Sequence, residues 1–299
     1  MKFDVVIPTK DRPEDLQRIL ESIEQSSVLP EKVIIVDQSS HIESVLNSSK
    51  FVINHLHKPN ISGLTMAKNL GVKYCDCELI HFFDDDIIVD HNYFETLNRH
   101  FVENPQYKGI CGRQRNSKSS RFKLLIFSIF HVGPFHDVRK KCNSGFVSQR
   151  LVDTPILPGG VTAYKIEIFQ EFQFDETLIR YCLGEDMDFS YRVSRKYPLA
   201  FATDAKVLHN HSSIGRYDPV ESFACKVAGY SYFYQKNTSR DFVSRVSYAL
   251  VLLGVLVDAI GFALAKGSFA SIVGFLRGLR YVSHRYKGVP FLDYGKIDI

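Results

Sequence analysis

Glu78-Leu79-Ile80-His81-Phe82-Phe83-Asp84-Asp85-Asp86-Ile87-Ile88-Val89 places three consecutive carboxylates between two apolar runs. The run into Phe83 reads as a buried strand, and the acids sit where it ends. Like charges beside a core are costly unless something positive neutralises them. A divalent cation does this well, because hard cations prefer carboxylate oxygen. An acidic turn capping the next helix is the alternative reading of the triplet.

Working outward, the same pattern recurs. Phe3-Asp4-Val5-Val6-Ile7-Pro8 is an apolar strand that stops at a polar loop, Thr9-Lys10-Asp11-Arg12-Pro13. Asp11 is placed to cap a helix opened by Pro13, in which Leu16, Ile19, Leu20 and Ile23 keep helical spacing. Lys32 to Asp37 is a second strand, Ile42 to Leu46 a short helix, and Phe51 to Leu56 a third strand. Asn60 to Gly71 reads as a Gly-containing loop leading into a helix. Strands alternating with helices predict an α/β domain with a mainly parallel sheet. In such sheets ligands collect at the carboxyl ends of strands, where both Asp37 and the Asp84 to Asp86 run are expected.

The middle, Arg113 to Val152, is basic and irregular, a lid or acceptor-facing excursion or else a solvated insertion. Gly159-Gly160 precedes a strand or helix start and permits close approach of a ligand to backbone. Glu185, Asp186 and Asp188 fall in the first turn of a helix, where carboxylates also suit the helix dipole. Ala200 to Thr203 and Lys206 to His211 read as two short strands. His209 and His211 would share a face if the chain is extended there.

Of the 299 residues, 45% are hydrophobic, enough for a sizeable core and against bulk disorder. Six scattered cysteines with no CxxC pair indicate neither zinc nor a disulfide framework, which suits a cytosolic chain. Met1 runs straight into a strand pattern, so no secretory signal is expected. The net charge is +4, and from residue 240 onward eight Lys/Arg stand against four Asp. The basic excess is therefore confined to the tail, which argues against a general nucleic-acid binder.

Five ordered elements together resemble the inverting family-2 glycosyltransferases of GT-A fold. They are Val6-Ile7-Pro8-Thr9-Lys10-Asp11-Arg12, Val36-Asp37-Gln38-Ser39-Ser40, Asn60-Ile61-Ser62-Gly63 with Ala67-Lys68-Asn69-Leu70-Gly71, Phe83-Asp84-Asp85-Asp86, and Gly184-Glu185-Asp186-Met187-Asp188. The resemblance implies an α/β/α sandwich over residues 1–215, followed by a helical region over 216–299. It implies transfer of a sugar from a nucleoside diphosphate of UDP, dTDP or GDP type to a hydroxyl of a glycan or lipid-linked acceptor, with Mn²⁺ or Mg²⁺, in surface polysaccharide synthesis. Carried over residue by residue, Pro8, Thr9, Asp11, Arg12, Asp37, Lys68 and Asn69 would hold the nucleotide. Asp84 and Asp86 form the D-x-D pair, with His211, slightly ahead of His209, as a further metal ligand. Asp85 is structural or bonds the donor. Asp186 would be the general base, with Glu185 placing the acceptor or loop, Asp188 capping the helix and Gly159 and Gly160 near the sugar. Two departures stand out: relatives often have arginine at the Lys68 position, and a Gly-x-Asn element where this chain has Gly159-Gly160-Val161-Thr162. A sugar nucleotidyltransferase would need a glycine-rich loop after the first strand, and Pro8 to Arg12 has no glycine. A non-catalytic nucleotide-binding module would not require Asp84, Asp86 and Asp186 together.

Tyr248 to Ala265 is 18 residues with one charge, Asp258. Spanning a bilayer takes roughly 20 apolar residues, and a central Asp costs about 2.5–3.5 kcal/mol. Phe269 to Leu279 interleaves apolar residues with Arg277, next to Arg280, as a basic amphipathic helix would. Three readings follow: a helix lying on the inner face of the cell membrane, a hairpin that packs on the catalytic domain or forms a homodimer, and a true span.

Overall fold

A computed structural model describes residues 1–41, 48–61, 63–117, 119–178, 184–212, 214 and 217–285. The helix expected at Ile42 to Leu46 lies outside the described residues, as does Ser62. Four strands open the chain: β1 (Phe3–Thr9), β2 (Lys32–Asp37), β3 (Val52–His57) and β4 (Leu79–Phe83). They lie side by side in the order β3-β2-β1-β4, all parallel. Helices α1 (Pro13–Glu24) and α2 (Leu64–Val72) make the crossovers. β1 is buried along its whole length, and its side chains alternate between two cores. Val5 and Ile7 join Leu16, Ile19 and Ile23 of α1 on one face, while Val6 joins Ala67 of α2 on the other.

The remaining strands complete a mixed sheet. They are β5 (Ile87–Val89), β6 (Gly109–Gln114), β7 (Leu151–Asp153), β8 (Val161–Lys165) and β9 (Leu199–His209). β8 inserts between β4 and β6, antiparallel to both, and β9 runs parallel to β6. β5 and β7 pair with β9 antiparallel. The two short strands expected at Ala200 and Lys206 are a single strand of 11 residues. Helix α3 (Tyr93–Glu103) links β5 to β6, and α6 (Glu185–Ser194) precedes β9.

Asp11 does not cap α1. It adopts a left-handed backbone (φ 54°), and its N–H donates to Ser39 Oγ at 2.7 Å, leaving Arg12 as the uncapped first position. The excursion after β6 is not irregular either. It folds into α4 (Arg121–Phe130) and α5 (Arg139–Asn143) before β7. Beyond β9 come α7 (Pro219–Asn237), α8 (Phe242–Lys266) and α9 (Ala270–Arg285). An Asp218–Glu221 capping box starts α7. Asp258 of α8 is paired at 2.8 Å with Lys226 of α7. By length and composition alone, α8 is the one helix among the described residues able to cross a membrane.

His81 on β4 is fully buried among Phe3, Phe94, Phe83 and Tyr93, and neither ring nitrogen has a partner. Burial lowers its pKa from 6.5 to about 3, so the folded protein holds the neutral ring. The unfolded chain takes up a proton below the ordinary value, so stability falls as pH drops from 6.5 toward 3. Between pH 6.5 and about 5 the loss is about 2 kcal/mol. His81→Phe should remove that acid-side slope in urea unfolding, and an unchanged slope would place its origin elsewhere.

Candidate active site

The acids divide among three neighbours. A turn closed by the Ile87 N–H and the Asp84 carbonyl carries them from β4 into β5. Asp85 turns toward the loop after β1. It accepts from Thr9 Oγ1 at 2.8 Å and from Arg12 Nη1 at 2.9 Å. Burial raises its carboxyl to about 6, with Arg12 and Thr9 pulling the other way. Arg12 also donates to the carbonyl of Ile214, tying the loop to the segment after β9.

Asp86 turns toward β9. The antiparallel register sets Ile87 opposite His209, which brings the His209 ring to the neighbouring acid. His209 Nε2 lies 3.0 Å from Asp86 Oδ1, and the Ser212 N–H donates to Asp86 Oδ2 at 2.9 Å. Burial opposes the Asp86 charge, but His209 and Ser212 outweigh it and hold the carboxyl down at about 2. One ligand atom each from Asp84, Asp86 and His209 lies within 4.8 Å of the others. His211, slightly favoured from sequence, is outside this group. It follows the end of β9 with a left-handed backbone (φ 54°) and stacks on His209 at 4.0 Å between ring centroids. The chain is not extended there, so the two rings do not share a strand face.

The group fits a hard divalent ion. The two carboxylates suit Mn²⁺ or Mg²⁺, and the imidazole is a donor that the transition ion Mn²⁺ accepts more readily than Mg²⁺. The Asp84 carboxylate fills the space that a side chain at residue 160 would need. A Cβ on Gly160 would lie 2.1 Å from Asp84 Oδ2. Burial raises the Asp84 pKa, with Lys68 and His209 acting in the opposite direction.

Behind the glycines lies a buried ion pair. Lys68 of α2 is fully buried. Its Nζ donates to Glu185 Oε1 and to the Gly159 carbonyl, each at 3.1 Å. Burial keeps the Glu185 carboxyl above its ordinary range while Lys68 pulls it down. A Cβ on Gly159 would meet Glu185 Oε1 at 2.6 Å, Lys68 Nζ at 2.8 Å and Asp186 Cβ at 3.3 Å. The two glycines therefore let a backbone segment pass between the acids after β4 and those opening α6.

Asp186 lies in the first turn of α6, after Gly184 with its left-handed backbone (φ 113°). Its Oδ1 accepts from the Met187 N–H at 2.8 Å, and its Oδ2 accepts from Arg139 Nη1 at 2.5 Å. Arg139 is itself held by Asp137, with Nη2 2.9 Å from Asp137 Oδ2. Among the basic residues of the excursion, sequence reasoning did not single out Arg139; an acid two positions before it was the available signal. Asp188 does not cap α6. It is buried and accepts from Arg192 of its own helix and from Lys236 and Asn237 of α7, binding the two helices together.

On the nucleoside side, register sets Thr9 beside Asp37. Asp37 accepts from the Ser39 N–H at 2.9 Å, and its other oxygen lies 3.0 Å from His55 Nε2, a neighbour missed from sequence. Pro8 is buried and Asp11 is exposed. Asn69 is not brought to the acids. Its amide donates to the Phe174 carbonyl and Glu176, and its oxygen accepts from the Phe174 N–H, so both ends are committed to that loop.

The glycosyl transferase family 2 model matches residues 4–172, more than half of the chain. The chain is 27% identical over 231 residues to the O-antigen chain rhamnosyltransferase RfbN of Salmonella typhimurium, covering 75% of this chain and 69% of the relative. It is 26% identical over 222 residues to a pre-mycofactocin glycosyltransferase of Mycobacterium tuberculosis, covering 69% of this chain but only 42% of that protein. Among solved structures, S. aureus TarS 1–349 superposes with a TM-score of 0.58 at 15% identity, covering 95% of this chain and 80% of TarS. TarS 1–349 in complex with UDP-GlcNAc gives 0.57, also at 15% identity, over 95% and 81%. At that identity the likeness concerns the fold, a GT-A α/β fold with a helical C-terminal region.

Proposed function

Because the chain belongs to glycosyl transferase family 2, we propose that it moves a hexosyl or deoxyhexosyl unit from a nucleoside diphosphate to a hydroxyl of a glycan or lipid-linked acceptor. The observation that carries this reading is the Gly159-Gly160 passage. One glycine abuts Asp84 of the candidate metal group, and the other abuts Glu185 and Asp186 of the opposite wall. A donor's diphosphate and an acceptor's hydroxyl need such facing walls. The likeness to an O-antigen chain rhamnosyltransferase supports a surface polysaccharide as destination, and the long apolar α8 supports a place for the enzyme at the inner face of the cell membrane.

Asp84, Asp86 and His209 would hold Mn²⁺ or Mg²⁺, which when bound neutralises the charge developing on the departing diphosphate. Thr9, Arg12 and Asp85 brace the rim beneath the nucleotide, and Asp37, set by His55, accepts from its base or ribose. Asp186 takes the acceptor proton, and Arg139 keeps its carboxylate aimed. Direct attack by the acceptor oxygen breaks the sugar–phosphate bond from the opposite face and inverts the anomeric centre. The domain boundary near residue 215 belongs to the same proposal.

Incubation with UDP-, dTDP- and GDP-sugars plus Mn²⁺ or Mg²⁺ should release free nucleoside diphosphate, and chelation should stop it. The absence of release from any donor, with nucleotide binding indifferent to metal, would overturn the reading. His209→Ala should raise the metal concentration for half-maximal release about 10–100-fold. His211→Ala should shift it far less; the reverse ranking would restore His211 as the ligand.

A further inference from the structure

The buried residues of helix α8 are its smaller ones, with Leu252, Leu256 and Phe262 half-buried beside them. Ser244, Ser247, Val251, Val255, Ala259 and Ala263 face the protein. Val246, Leu253, Val257, Ile260 and Leu264 face out and are 40–82% exposed. A helix that served only its own chain would present its larger apolar residues to the core. Helix α4 is more open still. None of its residues is buried, and Phe122, Leu125 and Ile129, three and four apart, are 70%, 60% and 54% exposed. The two helices touch, since Phe130 sits so close to Gly254 that a Cβ there would lie 2.7 Å from Phe130 Cβ.

We propose that α4 and the outer face of α8 form one seat for an anionic lipid surface, beside the Asp186 side of the site. The inference rests on the reading of Asp186 as the acceptor-side residue. Charge selects the occupant. Arg121 and Lys123 of α4, Arg245 and Lys266 of α8 and Arg277 of α9 outnumber the acids beside them, Asp241 at the head of α8 and Asp258, itself bound to Lys226. A second copy of the chain would set these cations against their equals, whereas phosphate headgroups complement them. The seat also reaches the catalytic wall. Lys140 Nζ lies 4.1 Å over the ring of Phe127 in α4, and its neighbour Arg139 holds Asp186. His131, at the end of α4, lies 3.0 Å from the Tyr230 hydroxyl of α7. The lipid-facing helix is thus joined to the segment that aims the base, and an acceptor carried on lipid would arrive where Asp186 waits.

The test uses the full chain with vesicles of phosphatidylcholine, alone or with about 30% phosphatidylglycerol. Sedimentation is expected only with the anionic vesicles, with release by about 0.5 M NaCl. Phe122→Ser combined with Ile129→Ser, at exposed positions, should weaken vesicle binding at least about tenfold while leaving Mn²⁺-dependent UDP binding unchanged. Leu253→Gln with Leu264→Gln should do the same through α8. Binding to neither vesicle, or equal binding to both, would overturn the proposal. So would a dimer that the same substitutions dissolve. An effect of the α8 changes without one from α4 would remove α4 from the seat. Failure of the unaltered chain to bind UDP, dTDP and GDP alike, with vesicle binding intact, would instead strike the nucleotide-site reading alone.

Discussion

Asp186→Asn should lower transfer by about 10²–10⁴-fold while leaving donor affinity close to that of the unaltered enzyme. The amide is isosteric. Its oxygen still accepts from Met187 or from Arg139, and Arg139 keeps Asp137, so the wall stays in place. The amide cannot take a proton from the acceptor. On the proposed function the donor's diphosphate is held through Asp84, Asp86 and His209, which the substitution does not touch. A drop in donor affinity alongside the rate would move Asp186 to the donor side. Glu185→Gln is the useful contrast, because it leaves Lys68 buried without its anionic partner. Breaking a buried ion pair from one side costs about 3–5 kcal/mol. That variant should therefore show its defect first in thermal unfolding, and Asp186→Asn only in turnover.

Gly160→Ala should abolish metal-dependent turnover, with a loss of about 10²–10³-fold. The new Cβ would stand 2.1 Å from Asp84 Oδ2 and 2.3 Å from Asp84 Cγ. No covalently intact arrangement tolerates that approach, so Asp84 must swing out of the group it forms with Asp86 and His209. Overpacking of this kind costs about 1–3 kcal/mol of stability, too little to unfold a domain with two extended cores. A Mn²⁺ titration of nucleoside diphosphate release checks it. Normal metal response in the alanine variant would show that Asp84 is not needed there. The clash also gives a steric reason for glycine at residue 160.

The front of the sheet was legible because parallel strands buried on both faces read as unbroken apolar runs. β1, β2 and β4 end at Thr9, Asp37 and Phe83, so the rim could be drawn from the chain alone. The acids of α6 were harder. Asp186 and Asp188 look alike in a helical first turn, and only packing against α7 shows that Asp188 is spent on Lys236 and Asn237. The choice between His209 and His211 depended on where β9 stops, which local pattern did not fix. Arg139 was hidden because its partner Asp186 lies 47 positions away, and proximity at that range comes from the fold.

The cross-links that finish the site run between the two ends of the catalytic fold. Ser212 reaches back 126 positions to Asp86, and Arg12 reaches forward 202 positions to the carbonyl of Ile214. A nascent chain can pair its first four strands long before either link exists. Contacts of such long sequence separation are slow to close. The acids are therefore placed early, while the imidazole and the N–H that hold Asp86 arrive only with β9 and the residues after it. A chain stopped short of β9 would carry its aspartates on a sheet that has nothing yet to do.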